Sequence, residues 1–157
     1  MQVHRNWLTN KRITKMFKDA EVKISVLINA GISKVWDAII NPEITKKYMH
    51  NIEVISDWKA GSSILWRDAV SKKVHVKGIV LNIEPGRYLE TKDLSIDSGL
   101  PDIESNYSRV TYELTIENDK TFLTVTENNF NGDKRRYNDS EKFWNVVIIN
   151  LKELLEK

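Results

Sequence analysis

The sequence predicts an α+β fold, a curved antiparallel sheet with its helices gathered on one face. Three features carry that expectation. A strand with period two is followed by two short helical stretches. About six further strands then succeed one another through tight turns. A long apolar helical stripe closes the chain.

The first strand is read from Val22, Ile24, Val26 and Ile28, which share one face while Lys23, Ser25 and Asn29 interrupt the other. Ile32, Val35, Trp36, Ile39 and Ile40 then follow helical spacing. Asn41-Pro42-Glu43 ends that helix and starts another, with Asn41 as cap and Pro42 in the first helical position. Ile44, Tyr48 and Met49 give the second helix its apolar side. Strands are expected at 52–56, 63–68 and 74–83, and another over 87–93 after a hairpin turn at Pro85-Gly86. The polar stretch 94–107, holding Gly99 and Pro101, reads as a long loop able to act as a lid. Residues 108–117 alternate again, turn at Asn118-Asp119-Lys120 and return over 121–130. Asn138 and Glu141 have capping-box spacing before a final helix carrying Phe143, Trp144, Val147, Ile148, Leu151, Leu154 and Leu155. That stripe, about 18 residues long, spans about 27 Å.

Length and composition narrow the function. A chain of 157 residues suits one domain. The formal net charge of +2 is unevenly spread: residues 1–20 carry +4 and residues 21–157 carry −2. The chain divides into a basic leader, 1–20, and one folded domain, 21–157. In the leader Ile13, Met16, Phe17 and Ala20 have helical spacing, with Trp7 as an anchor. It reads as a short helix packed on the body or as a basic arm for an acidic partner or a membrane surface. A fold that binds nucleic acid concentrates positive charge on itself, and this body does not, so no nucleic-acid partner is expected. No apolar run approaches the ~20 residues that span a bilayer, and the first twenty residues are not a secretory signal. A cytoplasmic protein without integral membrane contact is expected.

Catalytic motifs are few. Cysteine is missing altogether, and the six glycines never cluster into a phosphate-binding loop. His4, His50 and His75 lie far apart, so neither a metal site nor a cofactor is expected. Alternation instead suggests a cavity lining. On 110–116 the inward set is Val110, Tyr112, Leu114 and Ile116; on the next strand Leu123 and Val125 face in. Period two turns Glu127 inward too, where a carboxyl beneath an apolar helix is the kind of group that works as acid or base near neutrality. The alternative places Glu127 at the rim, solvated or paired with a basic residue. Trp66 is expected to line the pocket and His75 to face solvent, with Tyr48 and His50 near the mouth. The candidate ligand-binding residues are therefore Tyr48, Trp66, Tyr112, Leu114, Val125, Glu127, Trp144 and Ile148.

Several linked segments also resemble a known family. Ala30 through Ile39 is similar to its first strand-to-helix passage, and Asn41-Pro42-Glu43 with Tyr48 to its second helix, where the aromatic is commonly Trp. Residues 78–89 resemble its central hairpin, 110–114 and 121–127 its last strands, and Trp144 with 151–156 its closing helix. From Val22 to Leu155 the chain resembles the START-like (SRPBCC) superfamily and, within it, the family related to the activator of heat-shock protein 90 ATPase. The resemblance implies a helix-grip fold of about six to seven strands around the C-terminal helix, with a cavity opening toward the small helices and nearby loops. Because the superfamily spans lipid carriers, hormone receptors, polyketide cyclases and co-chaperone domains, it leaves function open. The leading expectation is a binder of a small hydrophobic or amphipathic molecule. The alternatives are a cyclase- or hydrolase-like enzyme using Glu127, Tyr112 and His50, or a module that meets a chaperone or other protein through its surface. The separate N-terminal domain of full co-chaperone activators has no room in 157 residues.

Overall fold

The computed structural model describes residues 19–157, so the leader's expected helix and Trp7 lie outside them. Seven antiparallel strands form one curled sheet in the order β1-β7-β6-β5-β4-β3-β2. They are β1 (Val22–Ile28), β2 (Ile52–Ser56), β3 (Ser63–Asp68), β4 (Val74–Glu84), β5 (Tyr88–Ser95), β6 (Ser108–Glu117) and β7 (Lys120–Asn128). Two short helices, α1 (Ile32–Ile40) and α2 (Pro42–Tyr48), connect the edge strands β1 and β2, and the long α3 (Lys134–Leu155) closes the chain. This is the helix-grip architecture.

Local chemistry explains most boundaries. Asn41 Oδ1 accepts from the Glu43 amide at 3.0 Å, capping α2. The hydroxyl of Tyr48 donates to the Ala38 carbonyl at 2.7 Å, locking α2 against α1. Pro85-Gly86 forms a type II turn, with Gly86 at φ 79° and the Arg87 amide donating to Glu84 O at 3.0 Å. Asn118 and Asp119 take φ of 51° and 64°, the paired left-handed conformation that suits a two-residue hairpin.

Two boundaries differ from expectation. The final helix begins at Lys134, not beyond Asn138, and Asp133 caps it by accepting from the amides of Arg135 and Arg136 at 2.9 and 3.3 Å. Its first turn, Lys-Arg-Arg-Tyr, carries almost no apolar periodicity, which hides the start. The earlier start puts Ser140 in the second turn of the helix, where its hydroxyl reaches Glu127. The loop after β5 is also shorter than expected, because Leu94 and Ser95 stay in the strand and Glu104–Asn106 forms a single 3-10 turn. The loop is held down by Lys77 on Asp102, by Lys92 on Glu104 at 2.6 Å and by Tyr107 on Asp102 at 2.6 Å.

The core lies between the concave face of the sheet and one stripe of α3. Trp144, Val147, Ile148, Leu151 and Leu155 recur at helical spacing and are buried against β-strand residues such as Leu114, Leu123 and Val125. Ile116, expected inward, is 68% exposed near the end of β6, beyond Leu114, the last buried residue of that strand.

One irregularity sets up the site. Pairing from the Pro85-Gly86 turn holds through Asn82 opposite Glu90 and then shifts, so that Val80 faces Thr91 and Gly78 faces Asp93. A β-bulge of this kind changes which residues oppose one another beyond it. Gly78 thereby meets the Asp93 side chain directly: a Cβ there would lie 2.2 Å from Asp93 Oδ1 and 2.5 Å from Lys92 O. Gly78→Ala is expected to lower the unfolding free energy by about 1–3 kcal/mol, as overpacked interiors do. Adding Asp93→Ala should return part of the loss in a urea-unfolding double-mutant cycle. An unchanged urea midpoint in Gly78→Ala would contradict this packing.

Candidate functional site

A cavity of about 350 Å³ opens between the sheet and the N-terminal half of α3. Its walls are largely apolar and aromatic: Ile52, Trp66, Val76, Val110, Phe130, Phe143 and Trp144. The aromatic rings brace one another, with Trp66 edge-on to Trp144 at 6.3 Å and Phe143 edge-on to Trp144 at 5.1 Å between centroids. No residue of α1 or α2 lines it. The cavity is framed instead by the strands β3 to β7, Ile52 of β2, the loop residue Ser98 and the first turns of α3, displaced from the small helices toward that loop.

Polar groups converge on this lining. The half-buried Glu127 accepts from Ser108 Oγ at 2.6 Å, from Trp144 Nε1 at 3.0 Å and from Ser140 Oγ. The donors come from β6 and α3, so one carboxylate ties two strands to the helix. Glu127 thus lies in the cavity wall, and no basic residue pairs with it among the described residues. All three donors are uncharged, and Trp144 Nε1 can only donate.

Asp93 completes the cluster. It is 6% exposed and lines the same cavity, opposite Gly78 on one side and Ser108 on the other. Thr91 Oγ1 donates to its Oδ2 at 3.1 Å, while its Oδ1, fully buried, has no hydrogen-bond partner among the described residues. Burial, reinforced by the negative charge of Glu127, pushes the Asp93 carboxyl up to about 8, and the Thr91 hydrogen bond only partly opposes this. At neutral pH Asp93 is therefore mostly a neutral acid beside a carboxylate. No ion pair reaches Asp93 or Glu127 among the described residues.

Arg136 and Asp139 line the cavity's margin. The Arg136 guanidinium is engaged elsewhere, donating to Phe130 O at 3.1 Å and Asn106 O at 2.7 Å, which fastens the loop to α3. His75, expected to face solvent, forms part of the wall, keeps 31% of its side chain exposed and meets Asp97 Oδ2 through Nδ1 at 2.5 Å.

Of the eight expected lining residues, Trp66, Glu127 and Trp144 come together in this cavity. Leu114, Val125 and Ile148 are packed in the core, and Tyr48 spends its hydroxyl on Ala38. Tyr112 is buried edge-on to Trp144 at 5.8 Å, outside the lining, and burial raises its hydroxyl pKa well above the ordinary tyrosine value. His50 packs near Phe143, also outside the lining. The grouping of Glu127 with Tyr112 and His50 is therefore not assembled in one cavity. Asp93, Ser108 and Ser140 were not singled out from the sequence. A glycine opposite an acid on paired strands is the signal for Asp93, and it becomes visible only once the bulge is known. Among the described residues, no group of three His, Cys, Asp or Glu side chains is placed to hold a metal. No helix there is long and apolar enough to cross a membrane.

The model of one protein family, described as Activator of Hsp90 ATPase homolog 1-like protein, matches residues 29–156. The chain belongs to this family. Among solved structures it is similar to ChR145 from Cytophaga hutchinsonii, with 36% identity over 87% of this chain and 94% of that one, at a TM-score of 0.72. It also resembles CalU16 from Micromonospora echinospora, at 20% identity over 87% and 76% of the two chains and a TM-score of 0.70. The Aha1 dimer from Colwellia psychrerythraea gives 20% identity, 87% and 96% coverage and a TM-score of 0.71. The last two share the fold. No curated protein sequence matches the chain.

The Asp93 environment has a thermodynamic consequence in this Aha1-like chain. The folded protein holds the Asp93 proton up to about pH 8, whereas the unfolded chain releases it near the ordinary carboxyl value of 3.8. The folded state therefore binds more protons across that window, and its stability falls as pH rises through it. Full ionisation costs on the order of 5 kcal/mol. Urea unfolding between pH 5 and pH 9 is expected to show this decline in the unaltered chain and a much flatter profile in Asp93→Asn. Parallel profiles would contradict the assignment.

Proposed function

We propose that this Aha1-like chain binds a small amphipathic molecule in the cavity between the sheet and α3. The observation that supports this reading best is the composition of that one space. About 350 Å³ of aromatic and aliphatic wall contains a small polar cluster formed by Asp93, Ser108, Glu127 and Ser140. Ligand pockets commonly have this makeup, a mostly apolar surface of about 300–1,000 Å³ with a few placed polar groups that fix orientation. The apolar body of the ligand packs on Trp66, Phe143 and Trp144, and its polar end meets the carboxyl cluster.

The reading also accounts for the tolerated cost at Asp93. A buried polar atom without a partner is unfavourable in an empty, dry interior but becomes satisfied when a ligand group reaches it. An enzymatic role for Glu127 with Tyr112 and His50 loses its geometric support, because the last two lie outside the cavity.

Val76 lies across the sheet from Trp66 and lines the cavity, so a larger side chain there fills the space with little disturbance of the core. Thermal unfolding against a panel of small amphipathic compounds is expected to raise the Tm of the unaltered chain for at least one chemical class. Val76→Trp should abolish that rise. Equal Tm shifts in the two proteins would place binding elsewhere, and no shift with any compound would sink the reading.

A further inference from the structure

The cavity's charge distribution narrows the ligand, given the binding reading above. Three carboxyl side chains, Asp93, Glu127 and Asp139, line a space whose one arginine, Arg136, already donates to the Phe130 and Asn106 carbonyls. Glu127 is held by three uncharged donors, and among the described residues no cation pairs with it. Asp93 Oδ1, buried and unpartnered, belongs to a side chain of the same lining. Trp66, Phe143 and Trp144 add aromatic rings, whose faces attract cations.

Three ligand end groups can be compared. A carboxylate or phosphate meets Glu127 as a like charge, while the Arg136 guanidinium is turned to the Phe130 and Asn106 carbonyls. A hydroxyl meets the Asp93 carboxyl but leaves the charge of Glu127 uncompensated. An ammonium group does both. It donates N–H to the Asp93 carboxyl, places positive charge beside Glu127, and sits against aromatic walls.

We propose that the occupant is a cationic amine, a molecule with an apolar or aromatic body and a primary or secondary ammonium end group seated at Asp93 and Glu127. Nothing covalent changes. The Asp93 proton leaves to solvent as the ammonium arrives, and the cluster then holds two carboxylates facing one cation. Among the described residues, the titratable groups near Asp93 are Glu127 from β7, the buried Tyr112 from β6 and, at the cavity margin, His75 from β4 with Arg136 and Asp139 from α3; β6 also presents the Ser108 hydroxyl.

Phenethylamine, phenethyl alcohol and hydrocinnamate share one aromatic body and differ in the end group. Their binding to the full-length chain, read by tryptophan fluorescence and calorimetry at neutral pH, is expected to favour the amine at least tenfold over both others. Asp93→Asn and Glu127→Gln should each reduce the amine's preference over the alcohol severalfold. The ratio among the three ligands is read on the unaltered chain, so it stands even if a variant fails to fold. Alcohol or hydrocinnamate binding as tightly as the amine would overturn the amine assignment and leave the cavity as a binding site. Binding of the amine with its preference intact in both variants would likewise overturn it. If none of the three binds, and the wider panel shows no Val76-dependent shift either, both readings fall together.

Discussion

One carboxylate organises the site end of this fold. Glu127 sits on β7 and gathers donors from Ser108 on β6 and from Ser140 and Trp144 on α3. Hydrophobic packing alone sets the helix on the sheet but is non-directional. The Glu127 contacts are directional, and they specify which turn of α3 lies over which strand. They also hold the Trp144 ring where Trp66, Phe143 and Tyr112 pack edge-on to it. The aromatic wall and the polar cluster are therefore parts of one arrangement.

Asp93 is the counterpart that the arrangement leaves unsatisfied. Its position depends on the bulge in β4, which brings Gly78 opposite it, and on the missing Cβ of that glycine. Burying an acid beside a carboxylate opposes folding at alkaline pH, and placing an orphaned oxygen in the same space opposes it further. Proteins keep such groups most often where a ligand or a reaction uses them. The cavity is lined by both acids and walled by aromatics, which makes ligand binding the economical explanation of the strain.

The architecture was legible in the sequence because its signals are local. The alternation of β1 and β6, the Asn41-Pro42 cap, the Pro85-Gly86 turn and the stripe from Trp144 to Leu155 each report their own element. Family resemblance supplied the wrapping of sheet around helix. Glu127 and Trp144 were legible as inward residues because each lies on an element whose face is set by clear periodicity, whereas Trp66 lies in Ser-Ile-Leu-Trp-Arg-Asp, where no alternation sets a face. Asp93 was not, since β5 reads Tyr-Leu-Glu-Thr-Lys-Asp-Leu-Ser and its inward set of Leu89, Thr91 and Asp93 is mostly polar. Counting pairs from the turn also places Asp93 off Gly78 by one residue until the bulge is known. Ser140 escaped because it precedes the apolar stripe that begins at Phe143, in what the Asn138–Glu141 spacing made the first turn of the helix. Leu114, Val125 and Ile148 were rightly turned inward, but inward on this sheet means the packed core at one end and the cavity at the other. That distinction is three-dimensional and leaves no mark in a period of two.

The central claim is that a neutral Asp93 lies beside Glu127 in a ligand-sized space. Carbon-detected NMR of the side-chain carboxyls, followed from pH 4 to pH 10, tests it directly. The account predicts that the Asp93 carboxyl titrates near pH 8 in the free protein and falls toward the ordinary aspartate range when an amine saturates the cavity. A free-protein Asp93 that titrates with the exposed carboxyls would contradict it.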